Sequence, residues 1–132
     1  MNYYNENNEE LKPWLQHLID ENFIALGEID TRSIEDVTPK DLDGFTQCHF
    51  FTGIGGWPYA LRQSGISDKQ QWWSGSCPCQ PFSTAGQGKG FRDNRHLWPA
   101  FKHLIRVKQP QLVVGEQVAK KAGKLWMDFV AH

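Results

Sequence analysis

The chain has 132 residues, a net charge of −1, 39% hydrophobic and 22% charged side chains, and six tryptophans. One domain of this length buries about two-thirds of its unfolded surface, and no stretch approaches the roughly 18 apolar residues of a membrane-spanning helix. Cys48, Cys77 and Cys79 are odd in number and two lie two positions apart, which excludes a disulfide framework and suits a reducing cytoplasm; the polar, acidic start is no signal peptide.

In chain order, Asn2 to Asn5 reads as a short strand. Leu11, Trp14, Leu15, Leu18 and Ile19 recur at helical spacing and predict an amphipathic helix over about residues 9–21. Phe23 to Leu26 is a short apolar run closed by Gly27, expected as a buried strand. Residues 31–44 are polar and acidic with Pro39, a connector holding a helical turn. Phe45 to Phe51 reads as a core strand running into Thr52-Gly53-Ile54-Gly55-Gly56, and Trp57 to Gln63 as a helix with Pro58 in its first turn. Trp72 and Trp73 open a further strand, and Thr84 to Asn94 is a glycine-rich loop. Leu97, Trp98, Phe101, Leu104 and Ile105 mark another helix. Leu112 to Gly115 is a buried strand, and Leu125, Trp126, Phe129 and Val130 begin a last helix. Strands alternating with helices predict a single α/β domain, doubly wound on a mainly parallel sheet.

The near-neutral charge hides a division. Residues 1–44 hold 11 acidic and 3 basic side chains, and residues 45–132 hold 4 acidic and 11 basic. Mixed solvated faces would account for this. So would a polyanion lying near Lys89, Arg92 and Arg95, which flank the glycine-rich loop.

Cys79 stands in Gly75-Ser76-Cys77-Pro78-Cys79-Gln80-Pro81-Phe82-Ser83. The prolines remove two amide donors and bar helix or central strand, leaving a stiff turn that presents a sulfur. That thiol is a buried structural group, a metal ligand with Cys77, or a nucleophile. Cys48, His49 and His96 lack regular zinc spacing. A free thiol with a pKa of about 8.5 is only about 3% ionised at pH 7, so a nucleophile here needs a lowered pKa or a nearby base. Glycines at Gly53, Gly55 and Gly56 serve a tight turn or let the backbone approach a ligand. Glu116, at the exit of the Leu112 strand, is a closing carboxylate or an acid held by its surroundings.

Taken together, Pro78-Cys79-Gln80-Pro81-Phe82, Phe51-Thr52-Gly53-Ile54-Gly55-Gly56 and Gly115-Glu116-Gln117-Val118 resemble the nucleophile, first cofactor and carboxylate motifs of the DNA cytosine-5 methyltransferases. Asp93-Asn94-Arg95-His96-Leu97-Trp98 is similar to a further motif of that family. The resemblance implies a Rossmann-like S-adenosylmethionine-dependent methyltransferase fold, truncated to about the first half of a typical member and without a target-recognition domain. It implies Cys79 and Glu116 as catalytic, and Phe51, Gly53, Gly55, Gly56 and Pro78 as cofactor-binding. Gln80, Ser83, Lys89, Arg92 and Arg95 would contact DNA. It calls for S-adenosylmethionine and no metal. Gln117 replaces the family's usual asparagine.

The interval from Gly56 to Pro78 is too short for two strands that the family places there. Tyr3-Tyr4-Asn5-Glu6 and Gly27-Glu28-Ile29-Asp30-Thr31-Arg32-Ser33-Ile34 resemble the second and third cofactor motifs, moved ahead of the first. A circular permutation is therefore expected. Residues 1–30 would form the displaced cofactor βαβ unit, 31–44 the connector, and 45–132 the glycine turn, nucleophile loop and carboxylate strand. Glu6 would then bind the ribose hydroxyls and Asp30 the adenine amine, with Glu28 second in line. The expected activity is methyl transfer to carbon 5 of a flipped cytosine in a bacterial or phage-infected cytoplasm. The open Leu112–Gly115 edge would be covered by a complementary methyltransferase chain or by a second copy. The other reading is a non-catalytic binding protein built on this scaffold, such as a phage decoy or inhibitor of a nucleic-acid enzyme.

Overall fold

A computed structural model describes residues 1–76 and 97–115. Its elements are β1 (Asn2–Asn5), α1 (Lys12–Asp20), β2 (Gly27–Asp30), β3 (Gln47–Phe50), α2 (Gly56–Gln63), β4 (Trp72–Gly75), α3 (Leu97–Lys108) and β5 (Val113–Val114). The strands form one sheet in the order β2-β1-β3-β4-β5, and every pairing is parallel. Helices cover both faces, as the alternation of strand and helix patterns predicts. No helix among the described residues is long and apolar enough to cross a membrane.

Period-two alternation sorts the strand side chains between two cores. Tyr3, Cys48, Phe50 and Trp73 face α3 (Phe101, Leu104) and the connector residues Ile34, Val37 and Leu42. Tyr4 faces Leu15, Leu18 and Ile19 of α1, with Ile24 closing the layer. Cys48 and His49, weighed above as possible co-ligands of a metal, therefore point to opposite faces.

The Tyr4 face also holds a polar ladder. The Gln47 amide Nε2 donates to the carbonyls of Ser67 and Gln70, both at 3.2 Å. Its Oε1 is left to accept from Asn2 Nδ2 at 2.9 Å and from His49 Nε2 at 3.2 Å. His49 Nε2 thus carries the ring proton, and Nδ1 accepts from the Ser74 hydroxyl at 2.6 Å. Burial holds this ring neutral and pushes its pKa down to about 3.

The expected buried strand Leu112–Gly115 shortens to the half-buried pair Val113–Val114, with Leu112 exposed, because it lies at the sheet edge beyond β4. Two expectations near the N-terminus differ as well. Phe23–Leu26 is not a strand. The left-handed Asn22 ends α1, the amides of Phe23 and Ile24 return to the Leu18 carbonyl, and Phe23 and Leu26 stay exposed while only Ile24 and Ala25 are buried. Gly27 opens the strand instead of closing it, because a Cβ there would lie 2.3 Å from the Asn2 carbonyl oxygen. The predicted 9–21 helix is split. Glu9–Leu11 is a 3-10 turn capped by the Asn8 side chain, and α1 proper begins with Pro13 in its first turn.

One connection runs against the common hand. The steps β1-α1-β2 on the Tyr4 face, and β2 to β3 and β4-α3-β5 on the Tyr3 face, all share a single hand, since reversing both direction and face preserves it. The step β3-α2-β4 moves toward β5, yet α2 lies on the Tyr4 face. There Gly55 abuts Leu15 and Leu18, and Tyr59 meets the Phe23 ring edge-on at 6.2 Å. Parallel crossovers are right-handed in about 98% of cases; by that rule the three like connections are right-handed and β3-α2-β4 is left-handed.

Candidate functional site

Parallel strands bring all their C-terminal ends to one edge of the sheet, the usual position of ligands in open α/β folds. Four sequence-predicted segments meet there: Glu6 after β1, Asp30 at the end of β2, the Thr52–Gly56 turn after β3, and Gly75-Ser76 after β4. Because β1 sits between β2 and β3, the two acidic segments and the glycine turn are neighbours despite their distance in sequence.

The turn after β3 is held on all sides. Phe51 takes a left-handed φ of 52°, a conformation rare for a bulky residue and one that clusters at functional sites. Its half-buried ring packs edge-on against Phe101 at 6.0 Å. Gly53 and Gly55 follow with φ of 58° and 90°. A Cβ at Gly55 would also crowd Leu18 Cδ1 at 3.0 Å and Leu15 Cδ2 at 3.3 Å. The Thr52 amide donates to the Asn5 carbonyl, and its hydroxyl lies 2.9 Å from the carbonyls of Asn5 and His49. Trp14 Nε1 donates to the Ile54 carbonyl at 2.9 Å.

Glu6 closes onto this turn. Its Oε1 accepts the Gly53 amide at 2.8 Å and its Oε2 the Asn8 amide at 2.9 Å. An ionised carboxylate accepts about four hydrogen bonds, so two positions on Glu6 stay open, the number a vicinal diol requires.

Asp30 is different. Its Oδ1 accepts the Arg32 amide and Nε at 3.0 Å each, and its Oδ2 accepts the Tyr3 hydroxyl at 2.6 Å and Arg32 Nη2 at 2.8 Å. Every acceptor position is filled. Burial works to raise its pKa, but the bonds from Arg32 and Tyr3 outweigh it and hold the pKa at about 2. Burial and the bond to Asp30 together raise the Tyr3 phenol well above its ordinary value.

At the other end of the site, Trp57 in the first turn of α2 donates from Nε1 to the Ser76 hydroxyl at 3.2 Å. This bond ties the glycine turn to the segment that enters the Cys79 motif. Phe101 lies under Gly75, where a Cβ would stand 2.5 Å from its Cζ. Sequence reasoning did not single out Tyr3, Arg32, Trp14 or Trp57. Tyr3, Trp14 and Trp57 act through partners fixed by strand pairing or helix docking, so no local signal marks them; Arg32 reaches Asp30 only two positions away, in the turn that follows β2. Cys79, Pro78, Gln80, Ser83, Lys89, Arg92, Arg95 and Glu116 lie outside the described residues, as do the 84–94 loop and the Leu125–Val130 segment. Among the described residues no three potential metal ligands gather.

Comparison with known proteins agrees with the motif pattern. Residues 5–124 match the family model for the C-5 cytosine-specific DNA methylases. A curated relative, the Type II methyltransferase M.HgiCII of Herpetosiphon aurantiacus, is 42% identical over 45 residues, which is 33% of this chain and 10% of that protein. The matched stretch thus spans about a tenth of the relative's length. No solved structure matches the chain. With the family match covering nearly its whole length, the chain belongs to the C-5 cytosine-specific DNA methylases.

Proposed function

We propose that this chain is the catalytic portion of an enzyme that methylates carbon 5 of cytosine in DNA, using S-adenosylmethionine, in a cytoplasmic setting. One observation carries the reading: the Glu6 carboxylate reaches the Gly53 amide at 2.8 Å, joining two family motifs that stand 47 positions apart. The residues fit an adenosyl cofactor. Glu6 keeps two acceptor positions for ribose hydroxyls, Gly53, Gly55 and Gly56 carry no side chain that would keep a ligand from the backbone, and Phe51 offers a ring beside the turn. Pro78 would border the same pocket and Asp30 would meet the adenine amine.

The left-handed β3-α2-β4 step supports the permuted order. A chain running from β3 through α2 to β1 would cross with the ordinary right hand. Joining α2 to β4 instead, with the βαβ unit moved to the front, leaves α2 on its face and reverses the hand.

S-adenosylmethionine supplies an electrophilic methyl group when bound. For the chain's own part, the Cys79 thiolate adds to carbon 6 of a cytosine flipped from the duplex. Glu116, in its protonated form, would hydrogen-bond ring nitrogen 3 as charge develops there. Carbon 5 becomes nucleophilic toward the methyl group that a bound cofactor would supply, the sulfonium–methyl bond breaking to leave a neutral thioether. A base then removes the carbon 5 proton, and the sulfur–carbon bond breaks to return the thiolate. Gln80, Ser83, Lys89, Arg92 and Arg95 serve DNA contact.

The test is methyl transfer from labelled cofactor to duplex DNA, with the chain alone and with candidate complementary chains. A duplex carrying 5-fluorocytosine should trap a covalent adduct, because the fluorine cannot leave as a proton does. Adduct formation by the native chain and none by Cys79→Ala is expected. An adduct at another residue contradicts the assignment of Cys79, and cofactor binding without transfer in any combination contradicts the proposal and favours a binding protein.

A further inference from the structure

Asp30 is the group that the proposed cofactor site offers to the adenine amine, and it has no acceptor position left. Its four donors are not equally movable. The Arg32 amide is fixed by the backbone, and Tyr3 is 2% exposed in the core. The Arg32 guanidinium is the mobile one, with 48% of its side chain exposed. It already has other places to rest: Nη2 lies 3.2 Å from Asp41 Oδ2, and Nη1 lies 3.3 Å from the Asp36 carbonyl. Asp41 is itself fixed, capping the turn that follows Thr38, where it accepts the Thr38 amide at 2.9 Å. Tyr3, Glu28, Asp30, Arg32 and Asp41 border a polar cavity of about 330 Å³, room enough for the guanidinium to shift.

We propose that Arg32 is a displaceable latch on Asp30, which an adenine-type exocyclic amine must push onto Asp41 to bind. Resting on the cofactor reading above, this makes Arg32 a positioning residue that lowers affinity and keeps Asp30 from accepting solvent or stray cations until the amine arrives. With Arg32 half exposed and Asp30 14% exposed, the pair is worth on the order of 1 kcal/mol, so freeing Asp30 tightens amine binding about fivefold.

The probe is S-adenosylhomocysteine, compared with its deaminated 6-oxo analogue, which lacks the amine and has no reason to move the latch. Binding to the full chain is measured by calorimetry for the native protein, Arg32→Gln, Arg32→Lys and Asp41→Asn, with thermal melts to exclude misfolding. Arg32→Gln should tighten the adenine ligand about fivefold and leave the 6-oxo ligand unchanged, widening the discrimination between them. Asp41→Asn, which removes the resting place, should weaken the adenine ligand. Arg32→Lys should behave closer to native. Unchanged discrimination in Arg32→Gln overturns the latch and makes Glu28 the acceptor. Weaker adenine binding in Arg32→Gln overturns it by making Arg32 a support for Asp30. Absence of binding by the native protein refutes the cofactor reading itself, a separate outcome.

Discussion

Lowering pH should loosen this fold through one residue, His49. In the native state the ring is neutral, with Nε2–H bonded to Gln47 and Nδ1 accepting from Ser74, and its pKa is pushed from 6.5 to about 3 by burial. In the unfolded chain the ring binds a proton near its ordinary value. The unfolded state therefore holds more protons than the native state between these values, and stability falls as pH drops through that window. At pH 5 the loss relative to pH 7.5 is about 2 kcal/mol, from 1.5 pH units at about 1.4 kcal/mol each. Asp30 acts in a separate window. Its depressed pKa contributes stability above 3.8 that is lost only as pH falls toward 2. Urea denaturation at pH 7.5, 6 and 5 reads the effect, with His49→Gln as the non-titrating control. That variant loses the ring's bond to Ser74 and starts about 1–3 kcal/mol less stable, but its stability should change much less over the same range. Equal pH dependence in the two proteins would refute the neutral-ring assignment.

Gly75→Ala drives a methyl to 2.5 Å from Phe101 Cζ and should cost about 1–3 kcal/mol in a urea titration. Trp57→Phe keeps an aromatic side chain but loses the 3.2 Å bond to Ser76; methyl transfer should slow about fivefold, about 1 kcal/mol, with cofactor affinity unchanged. At the sheet edge β5 pairs only with β4 among the described residues, so light scattering at high concentration should give a mass above the 15.2 kDa of one chain. A monodisperse monomer would contradict a covered edge.

What could be read from the sequence follows how local each signal is. The spacing of Leu15, Leu18 and Ile19 marks the buried face of α1, and all three are buried. The existence of β3 before a glycine turn was legible because Cys48 and Phe50 face one core and the glycines follow at once, but the strand is Gln47–Phe50, shorter than the expected Phe45–Phe51. Gly27 was read as a strand end because glycine commonly stops strands. Its actual cause is contact with the Asn2 carbonyl across the β1–β2 pair, which no local window contains. The filling of Asp30 is part local, through Arg32 two positions on, and part hidden, since Tyr3 reaches it only through the register that sets Tyr3 beside Glu28. Glu6 was found by motif likeness, and its bond to Gly53 depends on β1 lying next to β3. The hand of the β3-α2-β4 step depends on which face α2 chooses, and its sequence is amphipathic on either.

The account stands on Glu6 and the glycine turn forming one adenosyl-binding corner. Calorimetric titration of S-adenosylhomocysteine into the native chain and into Glu6→Gln tests this most directly. Removing one charged acceptor should weaken a single-site interaction roughly tenfold or more. Native protein that takes up no ligand, or a variant that binds as tightly as the native chain, would contradict it.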